Sequence, residues 1–270
     1  MRLTKNFALG INSYVDALTF IFKNKLITYF IYPILLNILV FSLGIWGTST
    51  ISDWALSSIN NLIHPETWTF YASDVIYKIL EWSLWILVRI FFFFFYVWFG
   101  GYIILMLMSP VYAFLSEKVE EILTGKKFPF SLNQFIDDII RGILLALRNL
   151  FIELGVTLLL FILGFIPVIG WLTPIAIFIV ASYYYGFSFL DYSLERKRMN
   201  IHSSSEFVKN NGGLAIANGA IFSLTLAIPY IGVLFAGFIS IISVVAATIA
   251  IHEMDKNRPL ITNKINEMSQ

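Results

Sequence analysis

Four stretches of the chain, 26–52, 90–116, 154–190 and 210–252, hold no Asp, Glu, Lys or Arg over 27, 27, 37 and 43 residues. A helix rises about 1.5 Å per residue, so about 20 apolar residues cross a hydrocarbon core about 30 Å thick. The first two runs suit one crossing each, and the second is long enough to tilt or protrude. The core of the first, residues 27–47, is 21 residues, too long for a secretory h-region, and reads as a retained helix. Composition agrees: 58% of residues are apolar and 13% charged, where a soluble domain has about 25% charged. An ordinary soluble enzyme and a disordered chain are excluded. The net charge of +1 offers nucleic acid no global attraction, so none is expected as a partner. The absence of cysteine excludes disulfides, thiolate nucleophiles and Cys-ligated metals.

The two longest runs are each too long for one crossing and short for two, and each is interrupted. Residues 165–170 read Phe-Ile-Pro-Val-Ile-Gly and residues 227–232 read Ala-Ile-Pro-Tyr-Ile-Gly. Proline removes a helical donor, and glycine permits a tight reversal. Thr173 and Pro174 can restart the helix as N-cap and N1. At an offset of 62 residues Pro167 matches Pro229, Ile169 matches Ile231, Gly170 matches Gly232 and Asp191 matches Glu253. This pattern predicts an internal repeat of two hairpins that enter the membrane, turn at Pro-x-Ile-Gly and return to the same side. The arm 154–166 has 13 residues and reaches about 20 Å. It spans only if helix continues into it from the preceding segment; otherwise the hairpin is re-entrant.

Lysine and arginine set the orientation. They number four in 1–25, two in 53–89, five in 117–153, four in 191–209 and three in 253–270. The basic-poor segment 53–89 is expected outside, and both termini are expected in the cytoplasm. The fold expected is all-α: a polytopic membrane protein with two long transmembrane helices and two broken hairpins. It forms one membrane domain over 1–270, with segments 1–25, 117–153, 191–209 and 253–270 on the cytoplasmic side. Two of these read as amphipathic interfacial helices. Phe7, Ile11, Tyr14, Leu18 and Ile21 make one stripe; Ile136, Ile139, Ile140, Ile143 and Leu147 make the other.

Signs of enzyme chemistry are scarce. His64, His202 and His252 are isolated, there is no His-Glu-x-x-His, and no Gly-x-x-x-x-Gly-Lys loop is present. No cofactor or metal is expected. No ionisable residue falls at the centre of a predicted span, which favours an anion or neutral-solute path over a proton-coupled cation carrier.

Several motifs resemble those of the CysZ-type sulfate permeases. Pro33 to Asn37 is similar to that family's Pro-Leu-Leu-x-Asn opening of the first membrane helix. Ser109-Pro110, then Glu117, Glu120 and Leu123-Thr124-Gly125, resemble its stretch after the second helix. Asp138 and Arg141, then Pro167 and Gly170, follow its Asp-x-x-Arg and Phe-Ile-Pro-x-Ile-Gly pattern, and Asp191-Tyr192 its hairpin-closing Asp-Tyr. The domain is shared with the etoposide-induced membrane protein of eukaryotes.

The resemblance implies a bacterial inner-membrane protein with two long helices and two pairs of shorter, partly penetrating ones, surrounded by lipid. It implies uptake of sulfate or a similar small anion for sulfur assimilation. Self-association is compatible with it and not required. The family's Gly-x-Arg-Arg-like element before the first helix has no counterpart here; the matching stretch is Asn24-Lys25-Leu26-Ile27-Thr28. The anion ligands expected in its place are Lys23, Asn24 and Lys25, with Arg141 as a cytoplasmic contact. The lysines can equally serve as headgroup anchors. The rival function is a membrane scaffold or assembly factor that transports nothing.

Overall fold

The computed structural model describes residues 2–64, 72–127, 131–228 and 231–257. Pro229, the proline of the second predicted turn, and residues 258–270 of the tail lie outside the described residues. Every regular element described is helical: α1 Arg2–Lys23, a 3₁₀ turn Leu26–Phe30, α2 Ile31–Ile63, α3 Ser73–Thr124, α4 Leu132–Leu163, α5 Pro167–Gly170, α6 Thr173–Arg196, α7 Ile201–Asn210, α8 Gly212–Leu226 and α9 Ile231–Asn257. Among the described residues five stretches are long and apolar enough to cross a membrane: Leu26–Leu62, Phe99–Thr124, Leu132–Leu163, Thr173–Arg196 and Leu234–Lys256.

Helix boundaries do not follow the charge boundaries. Most of 53–89 is helical, as the ends of α2 and α3. α4 runs without interruption through Glu153 into the apolar run that follows it. Arginine, glutamate and leucine are all good helix formers, so a change in polarity does not stop a helix. Turns need other chemistry. Gly125 closes α3 with φ 72°, its N–H donating to the Glu121 carbonyl at 2.8 Å, a left-handed cap that suits glycine. Ser131 precedes α4 in extended conformation, and the Asn200 side chain caps α7 by accepting from Ser203 N–H.

The chain divides into two compact units. The smaller, Ile34–Gly100, contains the body of α2 and the first half of α3. Asn60 Nδ2 donates to the Tyr77 hydroxyl at 2.9 Å and ties the end of α2 to the start of α3. Leu39, Leu43 and Trp46 on α2 and Phe91, Phe94 and Phe95 on α3 are exposed, the surface a lipid solvent favours.

The larger unit, Met1–Pro33 with Gly101–Gln270, holds the core. α6 is buried from Tyr185 to Leu194, and Ala215 and Ala217 of α8 and Ala246, Ala247 and Ala250 of α9 are equally buried. α6 and α8 touch through bare backbone. A Cβ on Gly186 would lie 1.9 Å from the Ala215 carbonyl oxygen, and one on Gly219 would lie 1.9 Å from that of Ser182. Apolar side chains gain nothing by leaving lipid for protein, so membrane helices associate through small residues and close packing.

α4 and α6 run antiparallel: Asp138 meets Arg196, Arg141 meets Asp191, and Asn149 meets Ser188. The turns after α4 and α8 share a backbone pattern at the 62-residue offset. Ile166 N–H bonds the Leu163 carbonyl at 3.0 Å, and Ile228 N–H bonds that of Thr225 at 3.1 Å. Gly170 and Gly232 N–H bond the carbonyls of Ile166 and Ile228, both at 2.8 Å. Neither glycine has positive φ; Gly125 is the one glycine that does among the described residues. Space demands them instead. A Cβ on Gly170 would sit 2.3 Å from the Gly164 oxygen, and one on Gly232 would sit 2.1 Å from that of Thr225.

The two amphipathic stripes divide between exposed and buried positions. On α4 the buried face carries Asp138, Gly142, Leu145, Ala146 and Asn149, while Ile136, Ile140 and Leu144 point outward. On α1 Ser13, Tyr14, Ala17 and Ile21 are buried, whereas Phe7, Ile11 and Leu18 of the expected stripe are exposed. In water the apolar face turns inward. Where lipid is the solvent, the polar and small face does.

Candidate functional site

Motif residues of α3, α4 and α6 converge on an ion cluster between these helices. Asp138 and Arg141 lie one turn apart on α4; Asp191 and Glu195 lie one turn apart on α6. Arg141 Nε and Nη2 donate to the two Asp191 carboxylate oxygens, both at 2.9 Å. Its Nη1 donates to the Met199 carbonyl at 2.6 Å, and Nη2 also donates to Ser204 Oγ at 3.0 Å. Glu195 lies 3.6 Å from Arg141 Nε. Arg196, with 1% of its side chain exposed, contacts Asp138 closely and lies 3.7 Å from both Glu117 and Glu195. Beside it Lys197 donates to Glu120 at 2.7 Å and lies 2.9 Å from Asp255 of α9. Burial alone would lower the Lys197 pKa, but hydrogen bonds to Glu120 and Asp255 outweigh it and hold it above the usual lysine value. That ammonium stays charged at neutral pH, and the stability it contributes is lost only as pH rises through the elevated pKa.

Charge decides what this cluster can do. Arg141 and Arg196 face Asp138, Asp191, Glu117 and Glu195, while Lys197 faces Glu120 and Asp255. Each of these three cations is paired with carboxylates, so none of them is spare for an anion. Arg141, expected as an anion contact, spends its donors inside the protein and joins α4 to α6 and α7. Of the residues proposed from motifs, the structure brings Glu117, Glu120, Asp138, Arg141 and Asp191 together. Glu195, Arg196, Lys197 and Asp255 complete the cluster and were missed. The signal is present, since Glu195-Arg196-Lys197 follows the Asp191-Tyr192 motif after two residues, but the charge count treats Arg196 and Lys197 only as orienting charges.

Lys23 ends α1, Asn24 donates to the Phe20 carbonyl at 2.9 Å, and Lys25 takes a left-handed φ of 58° before the 3₁₀ turn. Both lysines are exposed. The turn lines a cavity of about 540 Å³ bounded by Thr28, Tyr29 and Tyr32 on one side and by Pro110, Val111 and Phe114 of α3 on the other. Pro33 is buried, with Gly237 of α9 so close that a Cβ there would lie 2.7 Å from it. Asn37 is half-buried one turn further along α2.

Further along α4 lies a second polar contact that sequence reasoning missed. Glu153 accepts a short hydrogen bond from the Tyr102 hydroxyl of α3. As the residue bounding the charge-free run, it had been assigned to the cytoplasmic segment. The unbroken α4 shows that an ionisable group stands within a membrane-length helix.

The model of the family described as sulfate transporter CysZ/etoposide-induced protein 2.4 matches residues 13–236. A sulfate transporter CysZ of Vibrio cholerae serotype O1 is 26% identical over 190 residues, covering 68% of this chain and 74% of that protein. A sulfate transporter CysZ of Vibrio parahaemolyticus is 22% identical over 237 residues, covering 87% and 92%.

Proposed function

The chain belongs to the sulfate transporter CysZ/etoposide-induced protein 2.4 family, and from that premise we propose that it carries sulfate inward across a bacterial inner membrane. The family match over residues 13–236 carries this reading. Five membrane-length helices and the inside-out burial of α4 support it.

We read the pairs α4–α6 and α8–α9 as two membrane hairpins whose tips are the Pro-x-Ile-Gly turns, both termini being cytoplasmic. From Thr173 to Asp191, α6 rises about 27 Å, close to one hydrocarbon thickness. On this reading the ion cluster lies at the cytoplasmic headgroup level and the first tip near the opposite face. The anion approaches Lys23, Asn24 and Lys25, and the neighbouring hydroxyls of Thr28, Tyr29 and Tyr32 receive it in the cavity beside Pro110. Arg141 is left out of the ligand set because Asp191 occupies it.

Labelled-sulfate uptake into vesicles containing only the purified protein tests the reading. Replacing Lys23 and Lys25 together by Gln is expected to weaken uptake about tenfold, about 1.4 kcal/mol. Unchanged uptake at matched protein density would reduce the lysines to headgroup anchors. No flux in the wild type, and none after Ile27→Arg with Thr28→Arg, would support the scaffold function instead.

A further inference from the structure

Anion transport through the cavity at the 3₁₀ turn leaves a second cavity without a task. It has about 470 Å³ and lies where the end of α3, the first turns of α4 and the end of α6 meet, a size within the about 300–1,000 Å³ of small-molecule sites. Four cations line it: Lys126 and Lys127 after α3, Arg196 at the end of α6, and Arg198 just beyond. Lys126, Lys127 and Arg198 are exposed. Among the described residues no carboxylate pairs with these three. The charge of Arg196 is spent on Asp138, Glu117 and Glu195 through Nη1 and Nη2. Its Nε, though, is buried and has no acceptor, and a buried donor left unpaired is costly.

The start of α4 adds to the positive side. Ser131 and Gln134 line the cavity, and no side chain caps the helix there, so first-turn N–H groups lack an intrahelical partner at the positive end of the dipole. Against these stand Glu117, Asp138 and Glu195. Four cations and three carboxylates leave one positive charge. The matching occupant carries one negative charge and brings hydroxyl donors for the carboxylates. A sulfate dianion has the wrong charge and no donor. Beside the charges the wall is apolar: the rings of Phe114 and Phe135 lie 4.4 Å apart, and Leu132 and Ile136 are exposed on the same stretch of α4. Charge at one end and hydrocarbon surface at the other match a phospholipid. On the hairpin reading above, the end of α6 lies at the cytoplasmic headgroup level, where basic pockets between helices meet anionic headgroups.

We propose that this cavity binds the headgroup of one phosphatidylglycerol-type lipid per chain. Lys126, Lys127 and Arg198 hold the monoanionic phosphodiester, the glycerol hydroxyls donate to Glu117 and Glu195, and the acyl chains leave past Phe114 and Phe135. The lipid thereby bridges α3, α4 and α6. Its depth rests on the hairpin reading; the site rests on the cavity and its charges.

Native mass spectrometry of the delipidated full chain in detergent, titrated with dioleoyl phosphatidylglycerol, tests the site. One lipid per chain should bind to saturation, about tenfold or more tighter than dioleoyl phosphatidylcholine, dioleoyl phosphatidylethanolamine or inorganic phosphate. Lys126→Gln, Lys127→Gln and Arg198→Gln together should weaken binding about tenfold; the two lysine changes alone serve if the triple variant does not fold. Removing equal charge outside the cavity, by Lys5→Gln, Lys209→Gln and Lys256→Gln, should leave binding unchanged. Undiminished binding in the cavity variants, or an equal loss in the distant ones, overturns the site. Either zwitterionic lipid bound as tightly overturns the headgroup, and inorganic phosphate bound as tightly makes this a free-anion site and overturns the lipid. Binding in detergent does not depend on which side faces the cytoplasm, so a failure of the hairpin reading, seen by the accessibility of single cysteines, is told apart from a failure of the site.

Discussion

Arg141 shows how a buried ion pair differs from a free cation. Its partner Asp191 has 3% of its side chain exposed, so removing the guanidinium strands a carboxylate in a dry site. Arg141→Met is therefore expected to cost about 3–5 kcal/mol, read as a large fall in the thermal midpoint in detergent. Adding Asp191→Leu should recover most of it, because a matched apolar pair can replace a buried ion pair. Equal stability of the single and double variants would show that the pair carries no such weight. Gly170 and Gly232 make a second test. Each faces a carbonyl oxygen too close for a methyl group, so Gly→Val at either should destabilise by about 1–3 kcal/mol. A loss at one site beside indifference at the other would argue against two equivalent turns.

Among the helices, α4 is the most instructive. Its isoleucines recur at helical spacing, and in a water-soluble protein that stripe would mark the core. Here Asp138, Ala146 and Asn149 are buried and Leu144 is exposed. Ala146→Leu is accordingly expected to destabilise by about 1–3 kcal/mol through overpacking, whereas Leu144→Ala should move the detergent melting midpoint little. The reverse order would restore the conventional amphipathic assignment. Periodicity showed that a helix exists; which face turns inward depended on the solvent.

For the whole molecule the question is orientation. We propose from the lysine and arginine counts that 53–89 lies outside and 191–209 inside. Ser57 and His202 are exposed in the respective segments, and the chain has no native cysteine. Ser57→Cys should react with an impermeant thiol reagent in intact spheroplasts, and His202→Cys only after permeabilisation. Labelling of His202→Cys in intact cells would reverse the orientation or reveal insertion both ways. Ser204, buried against Arg141, would be silent on either side.

Charge-free runs and the Pro-x-Ile-Gly pair were enough, before any coordinates, to establish a membrane solvent, a helical architecture and the place of the first turn. These properties are local: they depend on residues a few positions apart and on the length of an apolar segment. The motifs also picked out Glu117, Glu120, Asp138, Arg141 and Asp191, which the fold gathers into one cluster. Their role was not legible, because a guanidinium reads as a cation until the carboxylate 50 positions away that occupies it is known. Glu153 failed the same way: its charge ended an apolar run, and only the continuous α4 beside Tyr102 showed it inside a membrane-length helix. Pairing, depth and the inward face of a helix depend on which distant segments pack together, and tertiary structure alone decides them.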